Sequence, residues 1–223
     1  MRNSAMKQVC VIGLSQFGMH LARSLVRMGC EVLAIDKNEQ RIDAIRDEVH
    51  RALIGDARDY RMLASVLTPE IEEAVIALGE DTIEPSILCT LNLRRIGIKT
   101  IRSTAFNDDH AEILRAVGAT EIIFPERETA ERTARRVASP GLIDMFSLAE
   151  DYRIMEVEVP PELHGKSLAE SGLRTTYALL VLALRGRDEE HYRFLPTGDT
   201  VFLPGQTMMV MGRELDLARF VAP

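Results

Sequence analysis

Apolar runs and amphipathic stretches take turns along the first 125 or so residues. Gln8–Gly13 is a short, mostly apolar run that breaks at Gly13, the pattern of a strand covered on both faces. Phe17, Leu21, Leu25 and Met28 then recur at helical spacing, with Arg23 and Arg27 outside and Gly29 ending the helix. The same alternation predicts strands at Glu31–Asp36, Arg51–Ile54, Ala74–Leu78, Lys99–Arg102 and Glu121–Phe124. Between them fall helices over Glu39–Glu48, Arg58–Leu67, a long stretch through Ile87, Leu91 and Ile96, and Asp108–Val117. Strands that alternate with helices in this way predict an α/β fold with a doubly wound parallel sheet, Rossmann-like in kind.

After Phe124 the rhythm changes. Glu126–Val137 reads as a charged helix that stops at Ser139-Pro140-Gly141, and Leu142–Ala149 as a short amphipathic segment. Met155, Val157 and Val159 alternate with Glu156 and Glu158, which predicts a strand with one wet face. Turn signals at Pro160-Pro161, Thr197-Gly198-Asp199 and Pro204-Gly205 frame further strands at Ala178–Leu184 and Met208–Met211. The predicted division is a Rossmann-like nucleotide-binding domain over 1–137, a linker or crossover over 138–151, and a small α+β domain over 152–223. A unit as small as the last buries little surface alone, so a dimer is expected.

The chemistry concentrates between the first strand and first helix. In Gly13-Leu14-Ser15-Gln16-Phe17-Gly18, Gly13 suits a tight turn and Gly18 a close approach of helix to sheet. N–H groups at the helix start can face a phosphate. Ser15 stands where a dinucleotide fingerprint has its middle glycine; its side chain crowds a pyrophosphate, yet its hydroxyl can donate to one. Alone, this two-glycine version is a weak signal, with a bare strand-to-helix turn as the alternative. Asp36, 18 residues after Gly18, matches the expected place of a ribose-binding acid. A carboxylate there can accept both ribose hydroxyls and would repel a 2′-phosphate; with Asn38 and Glu39 it also suits a helix start. Gly55-Asp56-Ala57 falls where an adenine edge would sit, Asp56 either accepting from the adenine amino group or capping a helix.

Composition narrows the partners. A net charge of −7, aromatic residues at 5% and no Trp argue against a nucleic-acid partner. No apolar stretch approaches bilayer length, the start lacks a signal core, and Cys10, Cys30 and Cys89 read as buried apolar groups, so a reducing, cytoplasmic setting is expected. His20, His50, His110, His164 and His191 show no metal-ligand spacing, and His110 is accounted for by capping and solvation at a helix start. No Gly-Lys-Ser/Thr and no Gly-x-Ser-x-Gly occurs, so no catalytic constellation is placed and the chain is not expected to be an enzyme. A small NAD-dependent oxidoreductase is the competing reading that the first half alone would permit.

With these residues in place, the chain resembles the RCK-domain (TrkA-N/TrkA-C) regulatory subunits of Trk/Ktr potassium transporters. The resemblance rests on Gly13 through Gly18, Ile35-Asp36-Lys37-Asn38, Gly55-Asp56-Ala57, Ala77-Leu78-Gly79, Ala105-Phe106-Asn107, His110 and Phe124-Pro125-Glu126. In the tail it rests on Leu163 through Leu168, Pro196 through Thr200 and Leu203-Pro204-Gly205. It implies a regulator that binds ATP, ADP or NAD(H), dimerises, and assembles into an octameric ring under a membrane-embedded transporter or channel, peripheral to the inner face of the membrane. The implied nucleotide contacts are Gly13, Ser15, Gln16, Phe17, Gly18, Asp36, Lys37, Asn38, Asp56, Ala57, Leu78 and Gly79. Similar proteins often carry Arg where Gln16 stands and Lys near Thr104; Arg102 is the expected substitute cation. Glu126 matches an acid that can hold a divalent cation, and also suits a helix N-terminus on electrostatic grounds alone. In the tail, Leu173-Arg174 and Tyr177 fall in a stretch that binds cyclic di-AMP in some members. Leu180 replaces a frequent Asn there, and that ligand is not favoured.

Overall fold

A computed structural model of the chain describes residues 6–79, 82–138 and 141–221. It divides into two compact units, one ending at Pro125 and the other beginning at Glu126. In the first, β1 (Gln8–Ile12), β2 (Glu31–Asp36), β3 (Arg51–Ile54), β4 (Ile71–Ile76), β5 (Thr100–Thr104) and β6 (Glu121–Ile123) pair in parallel, ordered β3-β2-β1-β4-β5-β6. Helices α1 (Gln16–Arg27), α2 (Glu39–Asp43), α3 (Tyr60–Val66), α4 (Ile83–Ile96) and α5 (Asp108–Val117) follow the first five strands.

The unbroken apolar runs have a direct cause. Alternate strand residues face opposite ways, and both faces are covered. Cys10, Ile12, Leu33, Ile35, Ala74 and Ile76 pack with Leu63, Cys89 and Leu93 of α3 and α4. Val11, Val32 and Ala34 pack on the other face with Ala22 of α1 and with Ile42 and Ile45.

Two boundaries of the first unit differ from expectation by three residues or more. β4 begins at Ile71, three residues before the apolar run, because its charged start is ion-paired: Glu72 with Lys99, and Glu73 with Lys7 and Arg102. α2 stops at Asp43 where a helix to Glu48 was expected. Ile42 and Ile45 anchor this stretch in the core, while Glu48 is taken by Arg23 of α1 at 2.6 Å.

The second unit opens within α6 (Pro125–Ala138), whose first residue, Pro125, ends the first unit. Strands β7 (Leu142–Ser147), β8 (Tyr152–Glu158), β9 (Leu180–Arg185), β10 (Arg193–Phe194) and β11 (Thr207–Arg213) form an antiparallel sheet ordered β10-β9-β11-β8-β7. Short α7 (Leu173–Thr176) and α8 (Glu214–Val221) complete it around Met155, Val157, Leu173, Phe202, Met208, Val210 and Leu217. β7 corrects the sequence reading: Leu142–Ser147, in the middle of the segment expected to link the domains, is an edge strand paired with β8, with Leu142 in the core. The outer face of the sheet is drier than the alternation at Glu156 suggested. Ile154, Met209 and Met211 are only partly exposed there, and Glu156 is held by Tyr192 and, at 3.1 Å, by Arg185.

Candidate nucleotide site

The parallel sheet reverses its order between β1 and β4: the chain builds outward through β2 and β3, then crosses back to β4. The connections leaving β1 and β4 therefore diverge, and a crevice opens beyond the strand ends. Gly13 makes the turn at φ +93°, its N–H donating to the Ile35 carbonyl at 2.7 Å. A Cβ on Gly13 would lie 2.6 Å from the Ala77 carbonyl oxygen, and one on Gly18 would overlap the Gly13 carbonyl oxygen. The two glycines are thus what lets α1 start directly against the sheet. Ser15 caps α1, its Oγ accepting from the Gly18 N–H at 3.3 Å, which leaves the hydroxyl hydrogen available. Gln16, exposed, and Phe17 are the first two helical residues, whose N–H groups have no intrahelical partner.

Beside this loop lies a cleft of about 590 Å³, counting its open mouth. Asp36, Lys37, Asp56, Ala57, Leu78 and Gly79 of the expected residues line it. Ile12, Ile35, Gly55, Thr82 and Pro85 add walls, and Arg41 and Arg58 add two cations that the sequence reading did not name. Gly79 connects loop and cleft: a Cβ there would sit 4.0 Å from that of Ser15.

Asp36 is the keystone of the site. It is only 6% exposed. Its Oδ2 accepts from the Leu14 N–H at 2.6 Å and its Oδ1 from the Asn38 N–H at 2.8 Å, so one carboxylate ties the glycine loop to the end of β2. Arg41 approaches Oδ2 at 3.5 Å. Asn38, not Asp36, caps α2, accepting from the Arg41 N–H at 3.2 Å. Asp56 accepts from the Arg58 N–H at 2.9 Å and from its guanidinium at 2.7–3.2 Å, and this pairing holds the carboxyl below the usual carboxylate range. Capping of α3 falls to Asp59. Three bases and two acids thus line the cleft (Lys37, Arg41 and Arg58 against Asp36 and Asp56), in a chain of net charge −7. The excess favours an anionic ligand.

Two expected residues stand elsewhere. Arg102, the proposed substitute cation, is not part of the lining: on β5 it is held by Glu73 and, at 2.6 Å, by Glu121 of β6. Glu126 lies exposed in the first turn of α6 beside Glu128, where negative charge suits the helix dipole. No group of three or more His, Cys, Asp or Glu side chains able to hold a metal occurs among the described residues.

His110 corrects a sequence reading as well. It is 2% exposed, and the cap of α5 is Asn107, which accepts from the His110 N–H at 2.8 Å. Its Nδ1 faces the Phe106 N–H at 3.5 Å and its Nε2 lies 2.8 Å from Ser86 Oγ, which donates to the Ile83 carbonyl. The donors and acceptors in this chain match a neutral ring protonated at Nε2, and burial holds the pKa below the ordinary value. Above about pH 6.5 the ring is neutral in both folded and unfolded chains. As pH falls below that, the unfolded chain takes up the proton first and stability drops until the lower folded value is passed. His110→Gln is therefore expected to lose less stability than the wild type between pH 7.5 and 5.5. Parallel urea titrations at the two pH values measure this, and equal losses would contradict it.

In the second unit, Leu173, Arg174 and Leu180 line an open hollow of about 890 Å³ whose other polar side chain among the described residues is Thr175. Tyr177 turns instead to Phe220, edge-on with ring centroids 5.4 Å apart.

A parallel sheet of order 3-2-1-4-5-6, a glycine turn at the switch point and an acid closing β2 define a Rossmann-type nucleotide-binding unit, here joined to a small antiparallel one. The TrkA-N domain family model matches residues 9–125 and the TrkA-C domain model residues 154–222. The chain belongs to the TrkA family of potassium uptake proteins. It is 31% identical to Ktr system potassium uptake protein C of Bacillus subtilis over 96% of each chain. It is 30% identical to Ktr system potassium uptake protein A of the same organism, over 96% of this chain and 95% of that one. Among solved structures, the GsuK RCK domain aligns with TM-score 0.67 and 18% identity over 99% of this chain and 48% of that one. The GsuK channel bound to NAD aligns with the same TM-score and identity over 100% of this chain and 41% of that one. These neighbours share the RCK fold.

Proposed function

We propose that this chain is a cytosolic regulatory subunit that binds an adenine nucleotide and gates a membrane-embedded potassium transporter or channel by rearranging a ring of its own copies. The observation that carries the reading is the cleft at the switch point, with Asp36 bound to the glycine loop and a positive excess on its walls. Relatives named as potassium uptake proteins and a fold neighbour described as a channel bound to NAD support the setting and the ligand class. No helix among the described residues is long and apolar enough to cross a membrane, which fits a subunit held at the inner face by its partner. ATP, ADP and NAD(H) all offer the adenosine diphosphate that the cleft and loop would hold. Mass spectrometry of nucleotide released from purified, denatured protein tests this; release of none, together with no calorimetric binding of ATP, ADP or NADH, overturns it. A symmetric assembly is part of the proposal, a dimer at least and an octamer in the ring. Light scattering that gives a monomer at tens of micromolar, with and without nucleotide, removes that part.

Ser15 and Gln16 are the uncharged side chains at the phosphate end of the site. We therefore expect little preference for ATP over ADP, and Gln16→Arg to raise that preference about tenfold by adding one charge-assisted contact. Isothermal titration of both nucleotides against both proteins measures it. An unchanged ratio means that position 16 does not face the phosphates.

A further inference from the structure

An acid at the end of β2 predicts, by itself, a cleft that refuses a 2′-phosphate. The structure surrounds that acid differently. Both oxygens of Asp36 already accept backbone N–H groups, from Leu14 and Asn38, so much of its charge is met by the protein itself. Arg41 stands on the same side, 3.5 Å from Oδ2, beyond the about 2.7–2.9 Å of a close charge-assisted hydrogen bond. Its side chain is 47% exposed, so the guanidinium can turn toward the mouth of the cleft without stranding a buried charge. Lys37 lines the same cleft and is exposed. Arg58 is the committed cation of the three, its guanidinium fixed on Asp56. Arg41 is therefore a loosely held, planar, multidonor cation at the ribose edge, the group best shaped to take a phosphate in two hydrogen bonds.

We propose that Arg41 is a specificity-determining residue that leaves Asp36 to pair with a 2′-phosphate, so that the cleft accepts 2′-phosphorylated adenine dinucleotides alongside their unphosphorylated counterparts. The 3′-hydroxyl stays with Asp36, and Lys37 adds attraction at the mouth. This inference rests on the adenine-nucleotide reading of the cleft. The test is calorimetry of NADH, NADPH and ADP against the wild-type chain and Arg41→Gln, a substitution on an exposed helix position that leaves the core intact. NADPH is expected to bind the wild type within about tenfold of NADH. In Arg41→Gln all three ligands lose one cation of the cleft wall, and NADPH should weaken about tenfold or more beyond whatever NADH and ADP lose. A wild type that binds NADH or ADP but rejects NADPH overturns the proposal, as does a substitution that leaves the ratio of NADPH to NADH affinity unchanged. Failure of all three ligands to bind overturns instead the nucleotide reading on which it stands.

Discussion

Replacing Gly18 with alanine is expected to destabilise the first unit by about 2 kcal/mol or more and to abolish measurable nucleotide binding. Helix propensity pulls the other way, since alanine inside a helix gains up to about 1 kcal/mol over glycine. Sterics decide the sign. The new Cβ would overlap the Gly13 carbonyl oxygen and lie 3.0 Å from the Ala77 Cβ. Neither can yield cheaply: the Gly13 N–H is bonded to Ile35 at 2.7 Å and the Ala77 N–H to Ile12 at 2.7 Å, so both are tied to the C-terminal ends of the central strands. Relief comes only from moving α1 outward, which also moves the N–H groups of Gln16 and Phe17 away from the cleft. Gly79→Ala is the internal control. Among the described residues its Cβ would approach nothing closer than 4.0 Å, and its stability should stay within about 0.5 kcal/mol of wild type. Urea unfolding of the three proteins reads the difference. A Gly18→Ala protein as stable as the control would show that α1 does not sit against the loop as described.

The two glycines and Asp36 were legible because a fingerprint is written along the chain: turn, helix start and strand end follow from local spacing. β2, β3 and α5 have their expected bounds for the same reason, each an apolar run or periodic stretch closed by a turn or a cap. What stayed hidden depends on partners far away in sequence. Glu72 and Glu73 look like loop residues until Lys99, Lys7 and Arg102 are seen beside them. β7 reads as a linker because the pairing that makes it a strand comes from β8. α8 follows β11 without a break at Arg213, and it shows the core only Leu217 as a fully buried residue. In the site, the sequence could place cations near the cleft but not aim them. Arg102 turns to Glu73 and Glu121, whereas Arg41 and Arg58, which carried no signal of their own, line the walls. In sequence His110 looks like a solvated helix start, and only the packing of α5 against α4 reveals Ser86 as its partner.

Asp36 carries the second large effect, and its two roles must be separated to test it. As a structural group it supplies the acceptor for the buried Leu14 N–H and for the Asn38 N–H. Asp36→Ala leaves both without that partner, and hydrogen bonds to a charged group contribute about 1.5–3 kcal/mol each, so a loss of about 3–6 kcal/mol of stability is expected. Loss of nucleotide binding in that variant would prove little, because the loop itself loosens. Asp36→Asn is the finer probe: it keeps one oxygen for the Leu14 N–H and removes the charge that would accept the ribose hydroxyls. The readout is a ratio, the affinity for ADP over that for 2′-deoxy-ADP, which a general loosening of the loop would leave alone. If Asp36 holds the ribose, the wild type should prefer ADP by about tenfold or more, the worth of one hydrogen bond to a carboxylate. Asp36→Asn should bring that ratio close to one. A wild type that binds the two ligands equally, while Asp36→Asn only lowers its stability, would leave Asp36 as the tie between the glycine loop and β2 and move the ribose elsewhere in the cleft.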